Sequence, residues 1–258
     1  MQVFLYDKTF EGLLTAVFDA YSRRSFPDKL LDEKEAVPSL FEEPYIVCTE
    51  EMKADRVWNG LGKRLSRTAF HGIFAVWLSE QPGVDILLFR YICKVIDSTK
   101  PVELNFGDPD ILAYSKILKK VVQESHYVMQ FLRFQQTKDG VYFAAVEPLY
   151  NVLPLVISHL EDRFASQSWM VYDMKREYGF YYDKQSVSEV SFSSEKAFGE
   201  DGNLKADLMS EDEQLIQRVW QTYFKSIAIE ARRNPRLHRQ NMPRRFWKYL
   251  IEKKEFRG

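Results

Sequence analysis

Near residue 128 the hydrophobic period of the chain changes, and that change limits its possible folds more than composition does. Before it, the segments "ADRVWNGLGKRLS", "AFHGIFAVWLSEQ", "GVDILLFRYICKVID" and "ILAYSKILKKVVQES" repeat apolar residues at helical spacing. Gly60, Gly62, Pro82, Pro101 and Pro109 separate them, so residues 50–127 read as a series of helices. After it, "QFLRFQQ" and "GVYFAAVEP" alternate around "TKDG", a hairpin pattern. A helix is predicted over "NVLPLVISHLEDRFASQ", with Pro154 in its first turn. Three antiparallel strands then follow in "SWMVYD", "REYGFYYD" and "SVSEVSF". That order implies a sheet crossed by a helix on one face.

The N-terminus has its own pattern. "VFLY" reads as a short strand, and Thr9 caps a helix whose apolar residues run from Phe10 to Tyr21. "FPDKLLDEKEAVPSLFEEP" reads as a polar connection, and "YIVCT" as a second strand able to pair in parallel with the first. Beyond the polar loop "SSEKAFGEDGNLKAD", a helix is expected over "SEDEQLIQRVWQTYFKSIAI". Ser210 and Glu213 form a capping box there, and Leu215, Val219, Trp220, Tyr223, Phe224 and Ile227 form an apolar stripe.

The expected fold class is α+β: a mostly antiparallel sheet with a crossing helix, plus a helical subdomain. Residues 1–49 make the β-α-β start of one α+β unit with the later sheet, 50–127 the helical subdomain beside it, 128–192 the antiparallel sheet with its helix, and 193–258 the C-terminal helices with a basic tail. Apolar residues make up 45% of the 258, enough for a substantial core. Cys48 and Cys93 form no metal or redox spacing and fit a reducing compartment. With no membrane-length apolar run, and acidic residues in "MQVFLYDKTFEG" where a signal peptide would be apolar, a cytoplasmic protein is expected. No cofactor motif is present: there is no C-x-x-C, H-E-x-x-H, G-x-G-x-x-G or P-loop.

Charge is distributed unevenly. From Arg232 to Arg257 there are ten Arg or Lys and two Glu, a net of +8, which leaves −9 for the rest of the chain. Such a tail calls for an anionic partner or an acidic patch on the same molecule. Pro243 suits the first turn of a last helix that puts Phe246, Trp247, Leu250 and Ile251 on one face and Arg244, Arg245 and Lys248 on the other. Arg232, Arg233, Arg236, Arg239, Arg244, Arg245 and Lys248 are the candidate phosphate contacts, because a row of guanidinium forks suits phosphate oxygens. A docked terminal helix with a solvated basic side is the alternative. Trp247 reads as core or as a platform for a base.

Other polar residues are candidates for chemistry. His126 precedes a predicted strand that carries Arg133, an arginine that fits an ion pair or an anion site. His159, Asp162 and Arg163 share one side of a helix, while Asp173 ends a strand and Arg176 lies in the next turn. Imidazole titrates near neutrality and a carboxylate can orient it, so this set could do acid–base work; it is equally an ordinary helix surface. His159, Arg163 and Asp173 are expected to converge, with Arg163 partly buried against Asp173 or Glu147.

Together, several of these stretches resemble the bacterial "probable DNA metabolism protein" family. "FLYDKTFEGLLTAVFDAY" is similar to its start, "DRVWNGL", "FLRF" and "AAVEP" to its middle, and "YFKSIAIEARRNPRLHRQNMPRRFWKYL" to its ending. "VLPLVISHLEDRFASQSWMVYD" resembles its H-F-x-x-R-F-x-x-Q-x-W-x-x-Y-D block, with Leu160 in place of Phe. The genes of that family typically lie beside a radical S-adenosylmethionine protein assigned to DNA repair or modification. Some members are fused to a uracil-DNA glycosylase-like domain; with its end at "EKKEFRG", this chain is expected to lack that fusion. The resemblance implies an accessory or DNA-engaging protein working with DNA and with that radical enzyme. The residues leave two alternatives open. One is an enzyme acting on a nucleotide or damaged base through His126, Arg133, His159, Arg163, Asp173 and Arg176. The other is a protein–protein adaptor.

Overall fold

The computed structural model describes residues 2–34, 44–191, 199, 204–205, 207–227 and 234–256. The chain divides into two compact units, Met1–Val122 and Gln123–Gly258.

In the first unit, strand β1 (Val3–Tyr6) is buried along its whole length. Thr9 caps helix α1 (Phe10–Arg23) by accepting the Gly12 N–H at 2.9 Å. The chain returns as β2 (Lys29–Asp32), parallel to β1 on one side, and β3 (Tyr45–Ile46) pairs in parallel on the other. β2 lies inside the segment expected to be a polar connection. Only Leu30 of its four residues is buried, because an edge strand needs one apolar side chain to hold its register, and that leaves almost no alternating signal. Helices α2 (Glu51–Gly62), α3 (Arg67–Trp77) and α4 (Val84–Asp97) share one core with this sheet and α1, centred on Phe4, Tyr6, Leu13, Leu61, Ile73, Leu88 and Ile92.

Helix α5 (Pro109–Phe131) begins in the first unit and ends in the second. It continues through residues expected to be strand. Val121, Glu124, Ser125, Val128 and Phe131 are all buried, a spacing of three and four that serves a helix face, so "QFLRF" completes α5. The hairpin is therefore short: β4 (Gln135–Gln136) and β5 (Tyr142–Val146), closed at Gly140 with φ of 79°.

The second unit holds a five-stranded sheet in the order β4-β5-β6-β7-β8, where β6 is Trp169–Asp173, β7 Tyr178–Tyr182 and β8 Val187–Val190. β5 and β6 run parallel, joined by helix α6 (Leu153–Arg163) with Pro154 in its first turn, and the other pairings are antiparallel. The fold is thus α+β. β5 and β6 are buried almost without a break, as a parallel pair covered on both faces must be. Helix α7 (Glu213–Ser226) lacks the expected capping box: the Ser210 hydroxyl makes no hydrogen bond among the described residues, and the Ser210 N–H donates to the Gln136 carbonyl at 3.0 Å. The Glu213 carboxylate instead accepts the Gln136 N–H at 2.9 Å, tying the start of α7 to β4. Helix α8 (Pro235–Asn241) is capped by the Asn234 side chain. The expected last helix is two 3₁₀ segments, Arg244–Tyr249 and Ile251–Phe256, which bury Phe246, Tyr249, Leu250 and Ile251.

Gly179 marks the tightest approach in this sheet. A Cβ there would press on the Val171 carbonyl oxygen and lie 2.9 Å from Tyr172 Cα. Gly179→Ala is expected to cost about 1–3 kcal/mol through overpacking. Urea unfolding of the variant checks this, and an unchanged midpoint would contradict it.

Candidate anion-binding cleft

The parallel pair places two chain segments side by side at one end of the second sheet. β5 delivers Glu147, Pro148 and Leu149, and β6 delivers the turn that carries Lys175. In open sheets, the crevice outside the carboxyl ends of parallel strands is where ligands gather. Here Arg244, Arg245, Trp247 and Lys248 of the first 3₁₀ segment, with Lys253 of the second, complete a cleft of about 730 Å³. Five cations and one carboxylate line it.

Its floor is braced by buried carboxylates. Asp173 is fully buried and pairs with Arg176 at 2.8 Å. Burial pushes the Asp173 carboxyl above its usual range, and the Arg176 guanidinium pulls it back only in part. The same guanidinium donates to the carbonyls of Pro148 and Leu149, each at 3.3 Å, so the two strand ends are clamped together. From α5, buried Glu124 accepts the Leu149 N–H at 2.9 Å and also binds Arg245. Lys248 pairs with Glu147 and holds its carboxyl below the usual range, helped by the Tyr249 hydroxyl at 3.2 Å.

Trp247 is fixed rather than loose. Its Nε1 donates to the Met242 carbonyl at 3.0 Å, and His238 stacks on it at 5.5 Å between ring centres. Arg244 and Lys253 lie 5.8 and 5.7 Å from the ring. Among the described residues, Lys175 and Arg244 have no carboxylate within ion-pair distance.

The candidate residues therefore fall into groups. Arg244, Arg245 and Lys248 line the cleft together. Arg236 and Arg239 are exposed on α8, and Arg232 and Arg233 lie outside the described residues. Asp173 and Arg176 meet, but His159 and Arg163 are exposed on α6 and Arg163 stacks on Phe164 at 5.6 Å. The expected pairing of Arg163 does not form, because Arg176 occupies Asp173 and Lys248 occupies Glu147. His126 is exposed on α5 rather than ahead of a strand. Arg133 follows α5 and pairs with buried Glu252 at 2.8 Å, while the Trp220 Nε1 donates to the other oxygen at 3.0 Å. Lys175, Lys253 and Glu124 were not singled out in the sequence. The only signal for Lys175 was its place one turn beyond a strand end.

Among the described residues, no three His, Cys, Asp or Glu side chains gather as a metal site, and no helix is long and apolar enough to cross a membrane. Burial pushes the Cys93 thiol up to about 11, which leaves it protonated at neutral pH.

Fold and site define an α+β protein with a basic cleft at the carboxyl ends of two parallel strands. The chain belongs to the DUF4130 family, a domain of unknown function, whose model matches residues 82–252 and so takes in every lining residue except Lys253. No curated protein matches the chain. Among solved structures, it is similar to a pGpG-specific phosphodiesterase, PggH, from Vibrio cholrae. The identity is 10% over 88% of this chain and 99% of that one, with a TM-score of 0.31. A score that low carries no argument about fold or substrate.

The Arg133–Glu252 pair gives a pH signature. Burial alone would raise the Glu252 carboxyl, but Arg133 outweighs it and holds the group below its usual range. The resulting stabilisation is present above the unfolded-state pKa of about 4.3 and is lost as the pH falls through the lower folded-state value. Wild type should exceed Glu252→Gln by about 1.5–3 kcal/mol at neutral pH, and the gap should close in acid. Urea unfolding over a pH series measures it, and a gap independent of pH would contradict the assignment.

Proposed function

We propose that this protein is a DNA-engaging accessory component of a DNA repair or modification system, and that it holds phosphates at the basic cleft. The observation that carries the reading is five cations and one carboxylate around a cleft at the ends of β5 and β6. Lys175 and Arg244, with no carboxylate within ion-pair distance among the described residues, are the direct phosphate contacts, Lys175 also lying in the field of Glu147. Arg245 and Lys248 keep their internal pairs, shape the wall and contribute to the local potential. Exposed Arg236 and Arg239, with Arg232 and Arg233, extend the contact along the backbone. Such contacts position nucleic acid without reading sequence. The collaboration with a radical S-adenosylmethionine enzyme rests on the family resemblance.

Fluorescence anisotropy with labelled oligonucleotides over a salt series tests the proposal. Four to six phosphate contacts give a log–log slope of about −4 to −5 on duplex DNA. The combined variant Lys175→Gln, Arg236→Gln, Arg239→Gln, Arg244→Gln should lose nearly one unit of slope for each contact removed. All four positions are exposed, so the fold is expected to survive. Equal binding by variant and wild type, or no salt-sensitive binding by wild type, would sink the reading.

One observation favours an adaptor role alongside it. Leu215, Ile216, Val219 and Tyr223 of α7, and Ile227 just beyond it, are each more than half exposed, so the apolar stripe lies largely at the surface. An amphipathic helix with anchors at this spacing suits a groove on another protein. The partner named by the resemblance is the natural occupant. Leu215→Glu with Val219→Glu should leave DNA binding intact and abolish co-sedimentation with the purified radical enzyme. Unchanged co-sedimentation would remove this second reading.

A further inference from the structure

We propose that the cleft takes an unpaired nucleotide, with its base on the indole of Trp247 and its phosphate among the lining cations. This rests on the phosphate-binding reading and narrows its ligand. The first observation is size: about 730 Å³ lies within the roughly 300–1,000 Å³ of small-ligand sites. Such a space admits one nucleotide-sized group, whereas a duplex would rest at its mouth with only backbone phosphates in reach of Lys175 and Arg244. The second is the chemistry of the wall. A nucleotide joins an apolar aromatic face to an anion, and this wall joins Trp247, Pro148 and Leu149 to Lys175, Arg244 and Lys253. Leu149 is half exposed, an apolar side chain left at the cleft rather than taken into the core.

The third observation concerns Trp247 itself. Its neighbours Phe246 and Leu250 are buried to 1% and 0% exposure, yet Trp247 stays half-buried on the cleft wall. The Met242 carbonyl pins its Nε1 and His238 backs the ring, so the indole is set before any ligand arrives. A preset aromatic surface beside cations is how single strands are held without sequence preference. Glu147 does not forbid an anion, because Lys248 neutralises it within the same wall.

The test compares adenosine 5′-phosphate with ribose 5-phosphate by calorimetry, and an oligo-dT strand with a hairpin duplex by anisotropy. Wild type should bind the nucleotide more tightly than the sugar phosphate, and the single strand more tightly than the duplex. Trp247→Leu should lose about tenfold or more on the nucleotide and the single strand while its duplex affinity holds. Trp247→Phe should retain most of the binding. Equal affinities for adenosine 5′-phosphate and ribose 5-phosphate on wild type would overturn the inference and need no variant to fold. Equal weakening of single strand and duplex in Trp247→Leu would overturn it too, as the sign of a structural role. Salt-sensitive binding that Lys175→Gln with Arg244→Gln abolishes, and that Trp247→Leu leaves untouched, would leave the phosphate reading standing alone.

Discussion

Asp173 is a carboxylate with no exposure to water, and the carboxyl end of the second sheet is organised around its neutralisation. A buried charge is tolerated only with a close counter-charge and filled hydrogen-bond positions. Arg176 supplies the charge, and the backbone N–H groups of Lys175 and Arg176 fill one oxygen. Because Arg176 also grips the carbonyls of residues 148 and 149, one guanidinium sets the turn after β6 and the segment after β5. Removing one member of such a pair typically costs about 3–5 kcal/mol. Here it would also release both strand ends that form the cleft.

The basic C-terminal segment is held by the same means. Arg245 reaches Glu124 on α5 and Lys248 reaches Glu147 after β5, each more than a hundred residues away in sequence. The excess charge of the tail is therefore partly answered within the chain, on carboxylates of the acidic remainder. Of the tail's remaining cations, Arg244 lies on the cleft wall beside Lys175 of the turn after β6, and Arg236 and Arg239 are exposed on α8. Screening over a Debye length of about 8 Å makes this local surplus matter more to a ligand than the net charge of the molecule.

A second junction joins the last segment to α7. Glu252 is shared between Arg133 and Trp220, and the Gln221 amide donates to the Ile251 carbonyl at 3.1 Å. Holding α7 by its polar and aromatic side leaves Leu215, Ile216 and Val219 outward. The cleft and this apolar face are thus built from neighbouring parts of one C-terminal segment, one suited to anions and the other to a protein groove.

Much of this was legible in the chain. The periods of α1 through α4 predicted their cores, Pro154 its helix turn, and the alternation after residue 140 the strands β5 to β8. Short-range geometry dictates such features, since a side chain three or four residues away, or two, must lie on the same face. β2 escaped notice because one buried leucine makes no pattern, and "QFLRF" fits both periods until burial on α5 decides. The site was half visible: the sequence determined that Arg244, Arg245 and Lys248 would lie together, and it marked Asp173 and Arg176. It could not determine that Arg176, not Arg163, would take Asp173, or that Glu124 would receive Arg245. Only the tertiary structure decided those pairings and brought Lys175 and Trp247 to one wall. Contacts between residues a hundred apart depend on which strand ends and helix faces are brought together, and no local spacing encodes that.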